Sequence, residues 1–142
     1  GTRGGLPMIR VIVGNKGSGK TARLVDELNE HAAQDNNVVC IEYGRRLDSS
    51  VNFKIRLVDI TEYPTKGYRE LLNFISGMYA KDYDLEYVYI DSIYKVAGTE
   101  DLDELASFLA DIDQFGEKSG IDTVVVLSAD PETVPEGVRR YC

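Results

Sequence analysis

The sequence predicts an α/β fold of three layers, a mainly parallel sheet between helices. Three observations carry that prediction. Short β-branched runs alternate along the chain with segments of helical spacing. The last such run, Thr123 to Leu127, is apolar on both faces, as a central parallel strand is. The first run passes at once through a glycine-rich turn into an amphipathic segment, so strand, loop and helix follow without slack. Parallel strands joined by right-handed crossovers follow from this order.

Each element has its own signal. Ile9 to Val13 is the first strand, and Lys20 to Ala33 the first helix, with Leu24, Val25, Leu28 and Ala32 on one face. Val38 to Glu42 is a second strand, closed by Gly44. Lys54 to Ile60 is a third, in which Ile55, Leu57 and Asp59 alternate with Arg56, Val58 and Ile60; its Lys54 and Arg56 point to an edge position. Tyr68 to Ala80 carries Leu71, Leu72, Ile75 and Met78 at helical spacing, and Glu86 to Ile90 is a strand that ends at Asp91. Leu102, Leu105, Leu109 and Ile112 mark the third helix. The tail from Pro131 has room for about one turn of helix.

The chain has 142 residues, 43% hydrophobic and 28% charged, with four prolines, which fits one domain with a real core and excludes a disordered or collagenous chain. We place that domain at residues 8–142. Gly1 to Pro7, with three glycines, a proline and no periodicity, is expected to be a leader or remnant. The longest clean apolar runs, Val11 to Val13 and Val124 to Leu127, are far short of a membrane span or a signal-peptide core, so a cytoplasmic protein is expected. A net charge of −8 argues against duplex DNA as a partner. The two cysteines cannot build a disulfide framework or a four-ligand zinc site; Cys40 lies in an apolar run and is expected in the core, Cys142 to be incidental.

The chemistry concentrates at Gly14, Asn15, Lys16, Gly17, Ser18, Gly19, Lys20 and Thr21, which match G-x-x-x-x-G-K-[ST] in full. The motif stands where its mechanism demands, after an apolar strand and at the start of an amphipathic helix. Glycines allow successive N–H groups to point inward as a nest, and the helix N-terminus adds positive partial charge, which together suit a polyphosphate. Lys20 is then expected on the β and γ phosphates of ATP, with the Thr21 hydroxyl on a Mg²⁺ that keeps most of its waters. Asp91, closing the apolar strand from Tyr87, is expected to hold a water on the same ion.

Turnover is less directly encoded. Ser92 follows Asp91, where a glutamate would polarise attacking water, and Glu42 at the end of the second strand is the candidate general base in its place. A capping or salt-bridging role for Glu42 near Arg45 and Arg46 is the alternative. Ser128 ends the last strand beside the first, where it can sense a γ phosphate or serve as a plain turn serine. The single histidine, His31, lies about three turns from the motif and is expected at the solvated surface. Tyr87 and Tyr89 are expected to pack. From Glu100 to Glu117 seven acidic residues occur with no basic one, expected as a solvated helix face.

Met8 to Thr21 (MIRVIVGNKGSGKT), Val39 to Glu42 (VCIE), Lys54 to Leu57 (KIRL), Tyr89 to Ser92 (YIDS), Ser128 to Pro131 (SADP) and Pro135 to Val138 (PEGV) resemble a family of small bacterial P-loop proteins. Its members often carry the label ATP-binding protein or twitching motility protein. The likeness runs from Met8 almost to the C-terminus and implies Met8 as the native start. The strand order and Ile90 to Ile93 are also similar to RecA-like cores, in which a glutamate after the second strand activates water; Glu42 matches that position approximately. The resemblance implies a P-loop NTPase fold of RecA-like strand order and Mg-dependent binding of ATP or another purine nucleotide. Slow hydrolysis would then work a switch through a protein partner or a second copy. Motor function is not carried over, because retraction motors of that label are longer and have a histidine-containing box.

Two other readings stand beside this one. A nucleoside or small-molecule kinase would use Gly44 to Asn52, with Arg45 and Arg46, as a substrate lid. A non-catalytic regulatory protein would keep the loop for stability alone. A dinucleotide fingerprint over Gly17 to Ala22, with Glu42 on a ribose, leaves Lys20, Thr21 and Asp91 unused.

Overall fold

A computed structural model describes residues 5–142. Its strands are β1 (Ile9–Gly14), β2 (Val38–Glu42), β3 (Arg56–Asp59), β4 (Tyr87–Ile90) and β5 (Asp122–Ser128). Its helices are α1 (Lys20–Ala33), α2 (Gly67–Lys81), α3 (Ile93–Ala97), α4 (Leu102–Ser119) and α5 (Glu136–Arg139), with one 3₁₀ turn at Ile60–Glu62. All strand pairs are parallel, in the order β1-β5-β4-β2-β3. β3 is an edge, as Lys54 and Arg56 suggested, and β5 lies between β1 and β4.

Alternation along the strands builds two cores. Ile9, Val11, Val39, Ile41, Val58, Val88, Ile90, Val125 and Leu127 face α2, α3, α4 and α5. Ile12, Val38, Cys40, Tyr89, Val124 and Val126 face α1 and the loop after β2, meeting Leu24, Leu28, Leu47, Val51 and Ile55. The sheet is therefore covered on both sides, which a purely parallel sheet requires. Each fully buried Leu, Val or Ile contributes about 1.5–3 kcal/mol by area removed from water, so the buried central strands hold the layers together. In β3, Val58 turns to one core while Leu57 and the preceding Ile55 turn to the other, so the predicted alternation holds over a shorter strand.

Helix ends follow local chemistry. The side chain of Asp101 caps α4 by accepting from the N–H groups of Asp103 and Glu104. Gly120, at φ +81°, ends the same helix in the left-handed conformation that glycine adopts without penalty. Part of the acidic run is thus structural, since Asp113 also accepts the Met8 N–H at 2.7 Å and ties the start of β1 to α4. A Cβ at Gly116 would lie 2.7 Å from the Ile121 carbonyl, so glycine is what lets α4 approach there. α3 was not expected from the sequence: its five residues are too few to show a period. Of the predicted leader, residues 1–4 lie outside the described residues, and Gly5 to Pro7 form neither helix nor strand. Among the described residues no helix is long and apolar enough to cross a membrane.

Candidate functional site

The glycine-rich turn leaves β1 and enters α1 at the carboxyl ends of the strands. Gly17 and Gly19 have φ of +79° and +89°, left-handed values that a residue with a Cβ adopts only at a cost. Gly14 is required for a different reason: a Cβ there would collide with the Ser18 hydroxyl. The turn is closed by Ser18 N–H donating to the Asn15 carbonyl at 3.1 Å, and the Lys20 ammonium donates to the same carbonyl at 2.9 Å. Gly19 caps α1 without a side chain, and the first turn carries no acidic residue, so neither satisfies the orphan amides there. Burial lowers the Lys20 ammonium below its ordinary value, and nearby Asp91 opposes that shift.

A cavity of about 770 Å³ opens on this turn, bounded by Lys16, Gly17, Lys20 and Thr21 on one side and by Asp91 to Lys95 on the other. Ser128 lines it too, paired in register with Gly14 as the adjacency of the first and last strands predicted. Four cationic side chains, Lys16, Lys20, Arg46 and Lys95, face two carboxylates, Asp91 and Glu100. In a chain of net charge −8 this is a local reversal of sign.

Asp91 is fully buried, which an ionised carboxylate tolerates only with partners. Its partner is Arg46, whose Nε and Nη2 donate to Oδ2 at 3.1 and 2.8 Å. The same Nη2 stands 3.5 Å from the Thr21 hydroxyl and 3.5 Å from the Ser92 hydroxyl. Thr21 and Asp91, far apart in sequence, therefore converge on one cationic group. Ser92 holds φ +57°, an uncommon backbone for a residue with a Cβ, immediately after the buried carboxylate. Sequence reasoning named Arg46 as part of a lid or as a salt-bridging neighbour of Glu42; a lone arginine in an aperiodic loop gives no signal of its target.

Glu42 is not brought into this cavity. It is 1% exposed and lines a separate cleft with Arg45, Asp48 and Asp59. The chain turns back after β2, so its carboxylate accepts the Leu47 N–H at 3.1 Å and holds the loop closed. Burial, and then a hydrogen bond with Asp48, push the Glu42 carboxyl up to about 7. The capping alternative describes this placement, although the partner is a backbone amide and not Arg45 or Arg46. Arg45 instead pairs with Glu62 at 2.6 Å. The carboxylate that shares the cavity with Asp91 is Glu100, which the sequence reading placed only in an acidic helix face.

A second polar cluster sits at the other end of α1. His31, expected to be solvated, stacks on Tyr87 with ring centroids 4.1 Å apart. The Asn36 amide lies 2.8 Å from His31 Nδ1 and donates to it, which leaves the proton on Nε2, 3.0 Å from the Tyr89 hydroxyl. Tyr89 donates in turn to Glu27 at 2.8 Å, and Arg10 donates to Glu27 at 2.6 Å. Burial lowers the His31 pKa, which keeps the ring neutral as that pattern needs. Burial alone would raise Glu27, but the hydrogen bonds from Arg10 and Tyr89 bring it below the usual carboxylate range. Arg10, Glu27, His31, Tyr87 and Tyr89 line a cavity of about 630 Å³. Cys40 is buried in the core as expected. No family model matches the chain, and no curated protein compared with it matches either.

Proposed function

We propose that this chain binds a nucleoside triphosphate, ATP or a close purine relative, with Mg²⁺ in the cavity at the glycine-rich turn, and acts as a P-loop switch. The single observation that carries the reading is the reversal of charge there. An acidic protein gathers Lys16, Lys20, Arg46 and Lys95 around the uncapped N-terminus of α1. The residues also fit the metal. Thr21 and Asp91 already converge on one cation, and Mg²⁺ in nucleotide sites takes one or two protein ligands plus phosphate oxygens. Among the described residues no group of three or more His, Cys, Asp or Glu side chains is placed to hold a metal ion. When bound, the ion would neutralise charge on the phosphate oxygens. Lys20 would hold the β and γ phosphates, and Ser128 would meet the terminal one from β5.

Slow turnover is part of this reading, since Glu42 is engaged with the Leu47 amide and Ser92 follows Asp91. A protein partner or a second copy would then complete or read the site. A kinase reading rests on one further observation: the cavity continues past Asp91 to Tyr94, Lys95 and Glu100, room that a second substrate would fill. A phosphorylated small molecule formed from ATP would select it. The test of nucleotide binding is a melting series with ATP, ADP, GTP and inorganic phosphate, with and without Mg²⁺. At ligand 100-fold above Kd the gain is about 2.7 kcal/mol, a shift of several degrees. A melting temperature unmoved by every nucleotide would overturn the proposal.

A further inference from the structure

We propose that Arg46 is the residue that distinguishes a triphosphate from a diphosphate, by exchanging Asp91 for the terminal phosphate when Mg-nucleotide enters. The proposal rests on the nucleotide reading above and adds a role that the glycine-rich motif does not contain. Arg46 Nη2 occupies the point on which Asp91, Thr21 and Ser92 converge, at 2.8, 3.5 and 3.5 Å. A metal ion held between Thr21 and Asp91 would stand next to that guanidinium. A divalent ion and a guanidinium at that separation repel each other, so the two cations do not share Asp91.

What happens to the displaced guanidinium is set by the backbone around it. On one side Arg45 is tied to Glu62 at 2.6 Å and to Asp48 at 3.4 Å. On the other, Leu47 is 1% exposed in the core under α1, and its N–H is held by Glu42 at 3.1 Å. Upstream, the Gly44 N–H donates to Asp59 at 2.8 Å. The loop therefore stays in place, and Arg46 responds by turning its side chain, which is 48% exposed. The guanidinium remains in the cavity, within reach of whatever anion has entered beside Thr21. Its planar fork matches a phosphate better than an ammonium does, and the anion nearest the metal position is the terminal phosphate. A diphosphate offers no such group, so Arg46 gains nothing from ADP and is better left on Asp91.

The same pairing gives buried Asp91 a counter-ion until exchange. ATP therefore releases a carboxylate for the metal and recruits the arginine in one event, whereas Mg²⁺ alone must displace Arg46 with no phosphate to receive it.

The experiment is titration calorimetry of ATP and ADP, each with Mg²⁺, on the wild type, Arg46→Gln, Arg46→Lys and the control Arg69→Gln, which alters an exposed residue of α2 outside the cavity. Hydrogen bonds to charged groups support roughly a 10-fold or greater loss of ATP affinity in Arg46→Gln, with ADP changed by less than about 3-fold. Arg46→Lys keeps a charge for Asp91 but loses the fork; it is expected to fold even where the glutamine variant does not, and to lose at least about 3-fold of the preference for ATP over ADP. Arg69→Gln should match the wild type. A wild type that binds neither nucleotide overturns the nucleotide reading and this proposal together. A wild type that binds both, with ATP and ADP affected equally in Arg46→Gln or Arg46→Lys, overturns the role of Arg46 and leaves the nucleotide reading standing.

Discussion

The two ends of α1 carry polar clusters of similar cavity size, about 770 Å³ at the glycine-rich turn and about 630 Å³ around His31, yet they are built on opposite principles. In the His31 cluster each link has its partner inside the protein: Asn36 to His31, His31 to Tyr89, Tyr89 to Glu27, Arg10 to Glu27. At the turn, the helix amides have no side-chain cap, Lys20 rests on the Asn15 carbonyl, and Asp91 depends on a half-exposed arginine. A satisfied network fixes α1 against the sheet, while a set of cations held by weak or exchangeable partners is ready for an anion. Cavity size does not separate the two; the state of their hydrogen bonds does.

The largest expected effect sharpens that contrast from the turn. Lys20→Ala should weaken ATP binding roughly 10- to 150-fold, the worth of a hydrogen-bonded charge, while ligand-free melting moves by less than about 0.5 kcal/mol. Lys16→Ala, at an exposed position on the same loop, is the internal comparison and should lose far less. Equal losses from the two variants, measured by calorimetry, would remove Lys20 from its assigned role.

The next effect comes from the other end and has the opposite signature. Tyr89→Phe deletes the hydroxyl that joins His31 to Glu27, leaving the half-buried His31 Nε2 short of a partner while Glu27 keeps Arg10. A cost of about 1–2 kcal/mol in chemical denaturation is expected, with ATP affinity unchanged. ATP affinity that falls together with stability would break the comparison, because it would make α1 a coupler between its two ends.

These clusters also differ in how far a linear sequence exposes them. Gly14 to Thr21 is contiguous, so residue type and spacing predict a phosphate loop there before any folding is known. The parallel sheet was equally legible, since β5 is apolar on both faces and β3 carries edge charges. Arg10, Glu27, His31 and Tyr89 come from two strands and two turns of one helix, and only the β1-β5-β4 order under α1 brings them together. A lone histidine on a polar helix face reads as solvated because nothing local names Tyr87 beneath it. Arg46 is hidden for a related reason: its target follows β4, the neighbour of the strand β2 from which its own loop leaves. Glu42 and Asp91 show the limit most sharply, being carboxylates at the ends of paired strands that the fold sends to different cavities.

That difference yields the smallest expected effect. Asp91 has a cation for a partner, whereas Glu42 has a backbone amide and the neighbouring Asp48 and Asp59 carboxylates, and its pKa stands at about 7 instead of the ordinary 4.5. A carboxyl whose folded pKa is raised adds stability that is fully present below about pH 4.5 and is lost as pH rises through about 7. Asp48 is 40% exposed, so water screens part of the repulsion, and the net effect is discounted to about 1 kcal/mol, or roughly 2 to 4 °C. Glu42→Gln keeps an oxygen for the Leu47 N–H and an amide to donate to Asp48, but cannot ionise. Its melting temperature should match the wild type at pH 5 and exceed it by that margin at pH 8, while ATP affinity stays within about 3-fold at both. A variant that melts below the wild type at pH 8 would show that the charged carboxylate is required at the loop, and the separation of Glu42 from the Asp91 site would have to be redrawn.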